Sequence, residues 1–221
     1  MNDAYHSEEY KGFTIKLIND SNTESPREWD NLGVIAYSHR DYTLGDKNLR
    51  DYYDLDNFNS WEEIKAQLVK DENIAVILPL YLYDHSGLFL KIGSWYGLLP
   101  QGHAEFDSGQ VGFVYVTKEA IRKEYGVKRI TRKTLEKAEK VIRSEAETFA
   151  KYISGDVRGF VVEDADGEHL DSCWGYYEDE DAISEAKSII DGEVKTRQEA
   201  HEAKLKAYIT NSVPINARWS I

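Results

Sequence analysis

Residues 74–83 read IAVILPLYLY and form the most apolar run of the chain. The length of this run and its β-branched residues predict a buried strand. Pro79 is expected at an edge or a bulge, because proline cannot donate a hydrogen bond to a strand ladder. Residues 111–116 (VGFVYV) predict a second strand, and the glycine-rich residues 84–110 between the two predict a long loop or a ragged hairpin.

Alternating apolar and polar residues predict further strands on both sides of this run. In residues 11–18 (KGFTIKLI), Phe13, Ile15 and Leu17 fall on one face, which is typical of a half-buried strand. The other predicted strands cover residues 32–37, 157–163 and 169–177, the last two joined by a turn at 164–167. Residues 38–59 are polar and tyrosine-rich without a clear period, so they predict a long loop.

Helical spacing recurs in the rest of the chain. Ser60 followed by Glu63 is a capping box that opens a helix ending near residue 71, and Thr117 can cap a short helix that ends at Gly126. A long amphipathic helix is predicted over residues 131–153 from its apolar stripe of Leu135, Ala138, Ile142, Ala146, Phe149 and Ile153. Two C-terminal helices are predicted over residues 180–190 and 197–209, the second opened by Thr196 and Glu199.

Strands and helices are interspersed without a regular βαβ rhythm. This order predicts an α+β fold with a largely antiparallel sheet, one long amphipathic helix and C-terminal helices. Residues 1–177 are expected to form the α+β core domain. Residues 178–221 are expected to form a helical extension that packs on the core or projects from it.

Composition excludes several classes of protein. The chain has 221 residues, 41% of them hydrophobic, which is enough to bury a core. It has no apolar run near the roughly 20 residues of a membrane helix, and its first ten residues do not resemble a signal peptide. Cys173 is the only cysteine, which excludes an internal disulfide framework and a multi-cysteine zinc site. We therefore expect a cytoplasmic protein that does not bind a membrane.

The charge is strongly acidic and unevenly distributed. Forty acidic residues against 27 basic ones give a net charge of −13, yet residues 111–154 carry six acidic and eleven basic residues. A globally acidic protein repels phosphate backbones and suits basic protein surfaces, although the charge can also serve solubility alone. The acidic run at residues 178–181 is explained by the positive end of the helix dipole that it precedes.

The helix dipole that explains residues 178–181 does not explain the aspartates and tyrosines of the predicted loop 38–59. Acidic residues on a rigid face can imitate DNA phosphates and block a basic channel, and exposed aromatic rings add contact area. The candidate partner-binding residues on this reading are Asp41, Asp46, Asp51, Tyr52, Tyr53, Asp54 and Asp56, with Trp95 and Tyr96 of the second long loop as anchors.

A second hypothesis is a metal-dependent hydrolase or nuclease. Asp84 and His85 directly follow the apolar strand, and Asp107 directly precedes the strand at 111–116. If these strands pair, two carboxylates and an imidazole can bind a divalent metal or share acid–base work. His39, which follows another predicted strand, could join them. The alternative is ordinary turn chemistry, in which aspartate and serine bond local amides and glycine supplies a positive φ.

Two further site hypotheses are weaker. Cys173 could act as a nucleophile, but a lone cysteine within a strand is more often a small buried hydrophobe. Lys128, Arg129, Arg132 and Lys133 form a concentrated basic patch that could bind nucleic acid. Direct nucleic-acid binding is not expected for a chain of net charge −13. No phosphate-binding loop, zincin motif, nucleophile elbow or dinucleotide fingerprint occurs.

Five segments together resemble a family of small accessory proteins encoded by bacteriophages and conjugative elements. They are SPREWDNLG at 25–33, HRDYTLGD at 39–46, LYLYDHSG at 80–87, DSGQVG at 107–112 and DSCWG at 171–175. The resemblance covers residues 10–177. Residues 88–106 look expanded relative to the family, and the C-terminal helices look like an addition. The resemblance implies an accessory protein that works in a bacterial host, and it assigns no catalytic residue.

The leading hypothesis is therefore a non-enzymatic inhibitor. It would bind a host protein that has a basic surface, such as a restriction enzyme or a CRISPR effector, and would block it by DNA mimicry. No cofactor is expected on this reading. The metal-dependent hydrolase built on Asp84, His85 and Asp107 remains the alternative.

Overall fold

A computed structural model of the chain describes residues 4–100 and 102–212. The predicted α+β class is confirmed: the described residues form two sheets, mostly antiparallel, together with helices. None of the described helices is both long enough and apolar enough to cross a membrane.

The regular elements are numbered in chain order. The strands are β1 (His6–Tyr10), β2 (Phe13–Asn19), β3 (Val34–Tyr37), β4 (Lys47–Asn48), β5 (Ile74–Asp84), β6 (Leu88–Ile92), β7 (Ser108–Thr117), β8 (Arg158–Glu163) and β9 (His169–Tyr176). The α-helices are α1 (Trp61–Glu72), α2 (His103–Phe106), α3 (Lys118–Tyr125), α4 (Arg132–Ser154) and α5 (Asp179–Ser212). Three short 3₁₀ helices cover Pro26–Glu28, Leu49–Asp51 and Leu55–Asn57.

The chain divides into two compact units. The terminal unit takes the described residues of Met1–Ser21 and Val157–Ile221, and the central unit takes those of Asn22–Asp156. This division differs from the expected boundary at residue 177. The reason is the strand pairing: β2 pairs with β8, so the two ends of the chain share one sheet.

The terminal unit is a four-stranded antiparallel sheet with α5 packed on one face. The strand order is β1-β2-β8-β9. The predicted face of β2 is buried, and Phe13, Ile15 and Leu17 are each at most 5% exposed. They pack with Ala186 and Ile190 of α5, which gives this unit its own core.

The helix α5 corrects one prediction. Residues 180–190 and 197–209 form a single helix rather than two. Thr196 does not cap a second helix, because its hydroxyl donates to the carbonyl of Gly192 one turn earlier at 2.9 Å. Two ion pairs spaced four residues apart, Arg197 with Glu193 and Lys195 with Glu199, span the expected break.

The central unit is a five-stranded sheet covered on both faces. The strand order is β4-β3-β7-β5-β6, and only the short β3–β4 pair is parallel. Helix α4 packs its predicted stripe on one face, where Ala138, Ile142 and Phe149 meet Leu80 and Leu82. On the other face, α1 packs Ile64 and Leu68 against Phe113 and Tyr115.

Capping residues fix the ends of the central helices. The hydroxyls of Ser60, Thr117 and Thr131 accept amide hydrogen bonds in the first turns of α1, α3 and α4. Gly126 and Gly155 end α3 and α4 in the left-handed region.

Both predicted loops contain regular structure. Residues 38–59 hold β4 and two 3₁₀ helices, anchored by the fully buried Leu49. Residues 84–110 include the hairpin strand β6 and the single-turn helix α2.

Candidate metal centre

The end of β5 lies beside the start of β7, as the sequence predicts if the two strands pair. Tyr83 pairs with Ser108 in the antiparallel ladder. One step further, the amide of Asp84 donates to the carbonyl of Asp107 at 2.9 Å. The segments Asp-His-Ser-Gly and Asp-Ser-Gly-Gln are therefore brought together at one end of the sheet.

Two histidines and one aspartate converge there. Nδ1 of His85 lies 3.0 Å from Oδ2 of Asp107. One potential ligand atom from each of His85, His103 and Asp107 lies within 4.8 Å of the others. The side chains of His85 and Asp107 are 49% and 33% exposed, so solvent and a ligand can reach them.

Local structure positions each of the three side chains. The helix α2 begins at His103, and Asp107 is its C-cap residue, whose amide donates to the carbonyl of His103 at 3.0 Å. The hydroxyl of Ser108 donates to the carbonyl of Ala104 at 2.6 Å and so ties α2 to β7. His85 sits in the tight turn after β5, where Ser86 adopts a φ of 60°.

Tyr83 contacts both histidines of the cluster. Its hydroxyl lies 3.0 Å from Nδ1 of His103. Its ring stacks on His85, with centroids 5.8 Å apart and planes 12° apart. Through these two contacts one side chain orients both imidazoles. Such outer contacts fix the ring orientation of metal-binding histidines in known sites.

Asp84 is not part of the cluster. Successive side chains of a strand point to opposite faces, and Tyr83 and His85 lie together on one of them. Asp84 falls in line with the buried Leu80 and Leu82 instead, at the exposed end of β5.

His39 is occupied in a turn of its own. Its Nδ1 accepts hydrogen bonds from the amides of Asp41 and Tyr42, and its ring stacks on Tyr42. The structure therefore replaces the predicted Asp84 and His39 with His103. A sequence signal for His103 exists, because it precedes Asp107 by four residues, the spacing of one helical turn.

Two histidines and one carboxylate suit a divalent transition metal. This donor set occurs in catalytic zinc sites and in non-haem iron sites, which keep positions open for water and substrate. With bonds of about 2.1 Å, neighbouring ligands lie about 3.0 Å apart in an octahedral shell and about 3.4 Å apart in a tetrahedral one. The 3.0 Å separation of His85 and Asp107 already meets this requirement. The three ligand atoms lie within 4.8 Å of one another, so the cluster has to contract to bind an ion.

Aromatic rings and one cation adjoin the cluster. Trp95 packs on Tyr83 with ring centroids 5.7 Å apart, and Phe89 does so at 6.1 Å. The ammonium of Lys91 lies 5.1 Å from the centroid of Trp95. The indole N–H of Trp95 is buried and has no hydrogen-bond acceptor among the described residues. Tyr96, the other predicted anchor, is 63% exposed.

Asp46 and Asp41, two of the predicted partner-binding residues, have internal partners. Asp46 accepts two hydrogen bonds from Arg27, at 2.9 and 2.7 Å, and one from the amide of Ile35 at 2.7 Å. Asp46 therefore holds β3 in place. Asp41 pairs with the exposed Arg40 at 3.2 Å.

The remaining residues of the acidic set lie on the 3₁₀ helices Leu49–Asp51 and Leu55–Asn57 and in the three residues between them. Asp51, Asp54 and Asp56 are exposed, and so is Tyr52, whose ring lies under the ammonium of Lys47. Tyr53 faces inward and donates to Asp71 at 3.0 Å. Burial, together with this bond, raises the pKa of Tyr53 to about 12, so its hydroxyl stays protonated at neutral pH.

The two remaining candidates are Cys173 and the basic patch at residues 128–133. Cys173 is half-buried against the core of the terminal unit, as expected of a small hydrophobe. In the basic patch, Arg132 pairs with Glu136 along α4 at 2.9 Å, whereas Lys128 and Arg129 line a surface pocket.

Comparison of the chain with protein-family models, curated proteins and solved structures gave no match.

Proposed function

We propose that the protein is a metal-dependent hydrolase in which His85, His103 and Asp107 bind one divalent transition-metal ion. The observation that carries the proposal is the convergence of their three ligand atoms within 4.8 Å at a solvent-accessible strand end. Three protein ligands leave coordination positions for water and substrate. An ion at such a site lowers the pKa of bound water and polarises the bond to be cleaved.

The neighbouring side chains favour a phosphodiester substrate. Phe89, Trp95 and Tyr83 form an aromatic surface on which a planar base can stack. Lys91, above Trp95, places a positive charge beside it. Tyr83 would act as a positioning residue, because its hydroxyl orients His103 rather than the substrate.

Metal binding is the first test. Titration of chelator-treated protein with Zn²⁺, Mn²⁺ or Co²⁺ is expected to give one ion per chain. His85→Ala, His103→Ala and Asp107→Asn should each weaken the affinity at least tenfold, since each removes one of three ligands. Calorimetry with metal analysis measures this, and circular dichroism verifies the fold of each variant.

Asp84→Asn is the matched control. It removes the same charge one residue from His85, but Asp84 lies outside the cluster. Its affinity should stay within about twofold of the wild type. Binding that is absent, or that falls equally in Asp84→Asn, would overturn the metal centre.

Hydrolysis is tested separately on the metal-loaded protein. We expect cleavage of bis(4-nitrophenyl) phosphate and of a single-stranded oligonucleotide, abolished by chelation and by His103→Ala. Stoichiometric metal binding without cleavage of either substrate would retain the site and refute the hydrolase.

A second candidate function is supported by the acidic segment of residues 49–57. Asp51 and Asp56 are exposed on the two 3₁₀ helices, and the exposed Asp54 is the N-cap of the second. Leu49 of the first helix is fully buried and Leu55 of the second packs against the same core, so the spacing of the three carboxylates is fixed. A fixed array of carboxylates beside the exposed Tyr52 suits a basic protein groove. On this proposal the protein is an accessory protein of a bacteriophage or mobile element that inhibits a nucleic-acid-handling defence enzyme in the host cytoplasm.

Charge reversal tests the inhibitor proposal. The protein is added to DNA-cleavage assays of restriction endonucleases and RNA-guided nucleases, and stoichiometric inhibition of one of them is expected at low salt. The triple variant D51K/D54K/D56K should lose inhibition, because reversed charges repel the basic groove. A control, E178K/E180K/D181K, changes the net charge equally at the start of α5. Equal inhibition by both variants would refute the proposed surface.

A further inference from the structure

The central unit has a pocket lined by basic side chains. Its volume is about 400 Å³, within the range of small-molecule sites. Its charged lining residues are Lys118, Arg122, Lys128 and Arg129, and its other lining residues are Ala75, Ile130 and Leu135. No carboxylate is among the residues that line it. In a chain of net charge −13, four cations around one concavity need an explanation.

These cations differ from the others of the same region. Arg132 and Arg143 on α4 pair with glutamates four residues away along the helix. By contrast, Arg122, Lys128 and Arg129 form no ion pair with any residue in 4–100 or 102–212. Lys118 donates to the side-chain oxygen of Asn73 at 3.0 Å, a neutral partner. The pocket therefore presents four positive charges, none of them paired with a carboxylate of the described residues.

The floor of the pocket and the start of α4 also bear on which ligand the pocket can bind. Ala75, Ile130 and Leu135 are partly buried against the core beneath α4, so the floor is apolar and fixed. Ile130 and Leu135 of the pocket lie on either side of the start of α4, where Thr131 is the N-cap and the first turn holds no acidic residue. The positive end of the helix dipole is therefore not neutralised by the protein.

We propose that this pocket binds the phosphate chain of a phosphorylated small molecule of the nucleoside di- or triphosphate class. Two arginines can each grip phosphate oxygens with two parallel hydrogen bonds, and the two lysines add point charges. The four cations match the three to four negative charges of a di- or triphosphate group. The apolar floor suits the uncharged part of the ligand.

The pocket is distinct from the candidate metal centre. Ala75 lies at the start of β5 and His85 just after its end. Ten residues of strand at about 3.3 Å each separate the two by roughly 30 Å. Binding in the pocket can therefore be measured with a chelator present, which removes any contribution from a metal ion.

The experiment titrates the full chain with inorganic tripolyphosphate, and then with ATP and ADP, by calorimetry at low salt in excess EDTA. One ligand per chain is expected, with an affinity that weakens as salt rises. R122Q/R129Q should weaken it at least tenfold. K137Q/K140Q removes the same charge from the exposed side of α4, outside the pocket, and should change it less than twofold.

Absence of binding, or equal loss in both double variants, would overturn the proposal. A single-stranded 12-mer that binds through Arg122 and Arg129 more tightly than ATP at the same salt would also overturn it, because the pocket would then serve a polymer backbone. Both double variants alter exposed side chains only. A thermal melt within about 2 °C of the wild type verifies that they fold.

Discussion

Gly112 shows how one residue determines the packing of the central sheet. It lies in β7, paired with Tyr37 of β3 on one side and Leu80 of β5 on the other. A Cβ atom at this position would lie 2.0 Å from the carbonyl oxygen of Ala36 and 2.8 Å from Cα of Tyr37. Both neighbours are backbone atoms of a paired strand, so they cannot move aside without breaking the ladder.

Gly112→Ala is therefore expected to destabilise the protein by about 1–3 kcal/mol, the usual cost of overpacking. Gly109→Ala is the control on the same strand, because a Cβ there meets no atom within 4 Å. It should be neutral or slightly stabilising, since alanine restricts the unfolded chain. Urea denaturation measures both. Equal stability of the two variants would contradict the steric argument.

The candidate site could be predicted in part at the same scale. The apolar runs predicted the two strands that flank it, but their pairing was only a condition of the hypothesis. The structure shows this pairing, which brings His85 and Asp107 together. The alternation of side chains along a strand places Asp84 on the face opposite His85 and so excludes it from the cluster. This step requires the exact end of β5, which the sequence does not fix. His103 was missed because a single helical turn within a glycine-rich segment has too few residues to show a period.

At the scale of elements, apolar periodicity decided which predictions were right. The stripe of α4 and the alternation of β2 are both buried as predicted, because each element has one face against a core. β1 was missed because its sequence, HSEEY, is polar. It is an edge strand, held by its ladder with β2 rather than by burial.

α5 shows the limit of local capping signals. Threonine and glutamate at 196 and 199 match a capping box, and Gly192 matches a helix end. Neither ends the helix, because nothing crowds Gly192 and the hydroxyl of Thr196 is satisfied within the helix. Beyond Lys195 the helix is almost wholly exposed, so no apolar stripe was available to show that it continues.

At the scale of the whole molecule, the two compact units differ in net charge. Residues 22–156 carry 22 acidic and 18 basic residues, so most of the net charge of −13 belongs to the terminal unit. The candidate metal centre and the basic pocket both lie in the central unit, whose net charge is −4. A site for a substrate phosphate is less opposed by repulsion there than it would be beside the acidic α5.

The central unit is one continuous stretch of chain with a core on each face of its sheet. A chain of residues 22–156 is therefore expected to fold alone and to keep the affinity of the candidate centre for Zn²⁺ within about threefold. Circular dichroism and a cooperative thermal melt check the fold, and calorimetry checks the metal. A fragment that lacks a cooperative transition would show that this unit depends on the rest of the chain.

The pairing of β2 with β8 also has a consequence for synthesis on the ribosome. Asn19 meets Arg158 in that ladder, so the two strands are separated by about 140 residues of sequence. At about 5–20 residues per second, the partner of β2 emerges about 7–30 s after β2 itself. Throughout that interval Phe13, Ile15 and Leu17 have no core to enter. β2 is thus synthesised well before the strand it pairs with, and it is among the last strands of this sheet to be completed.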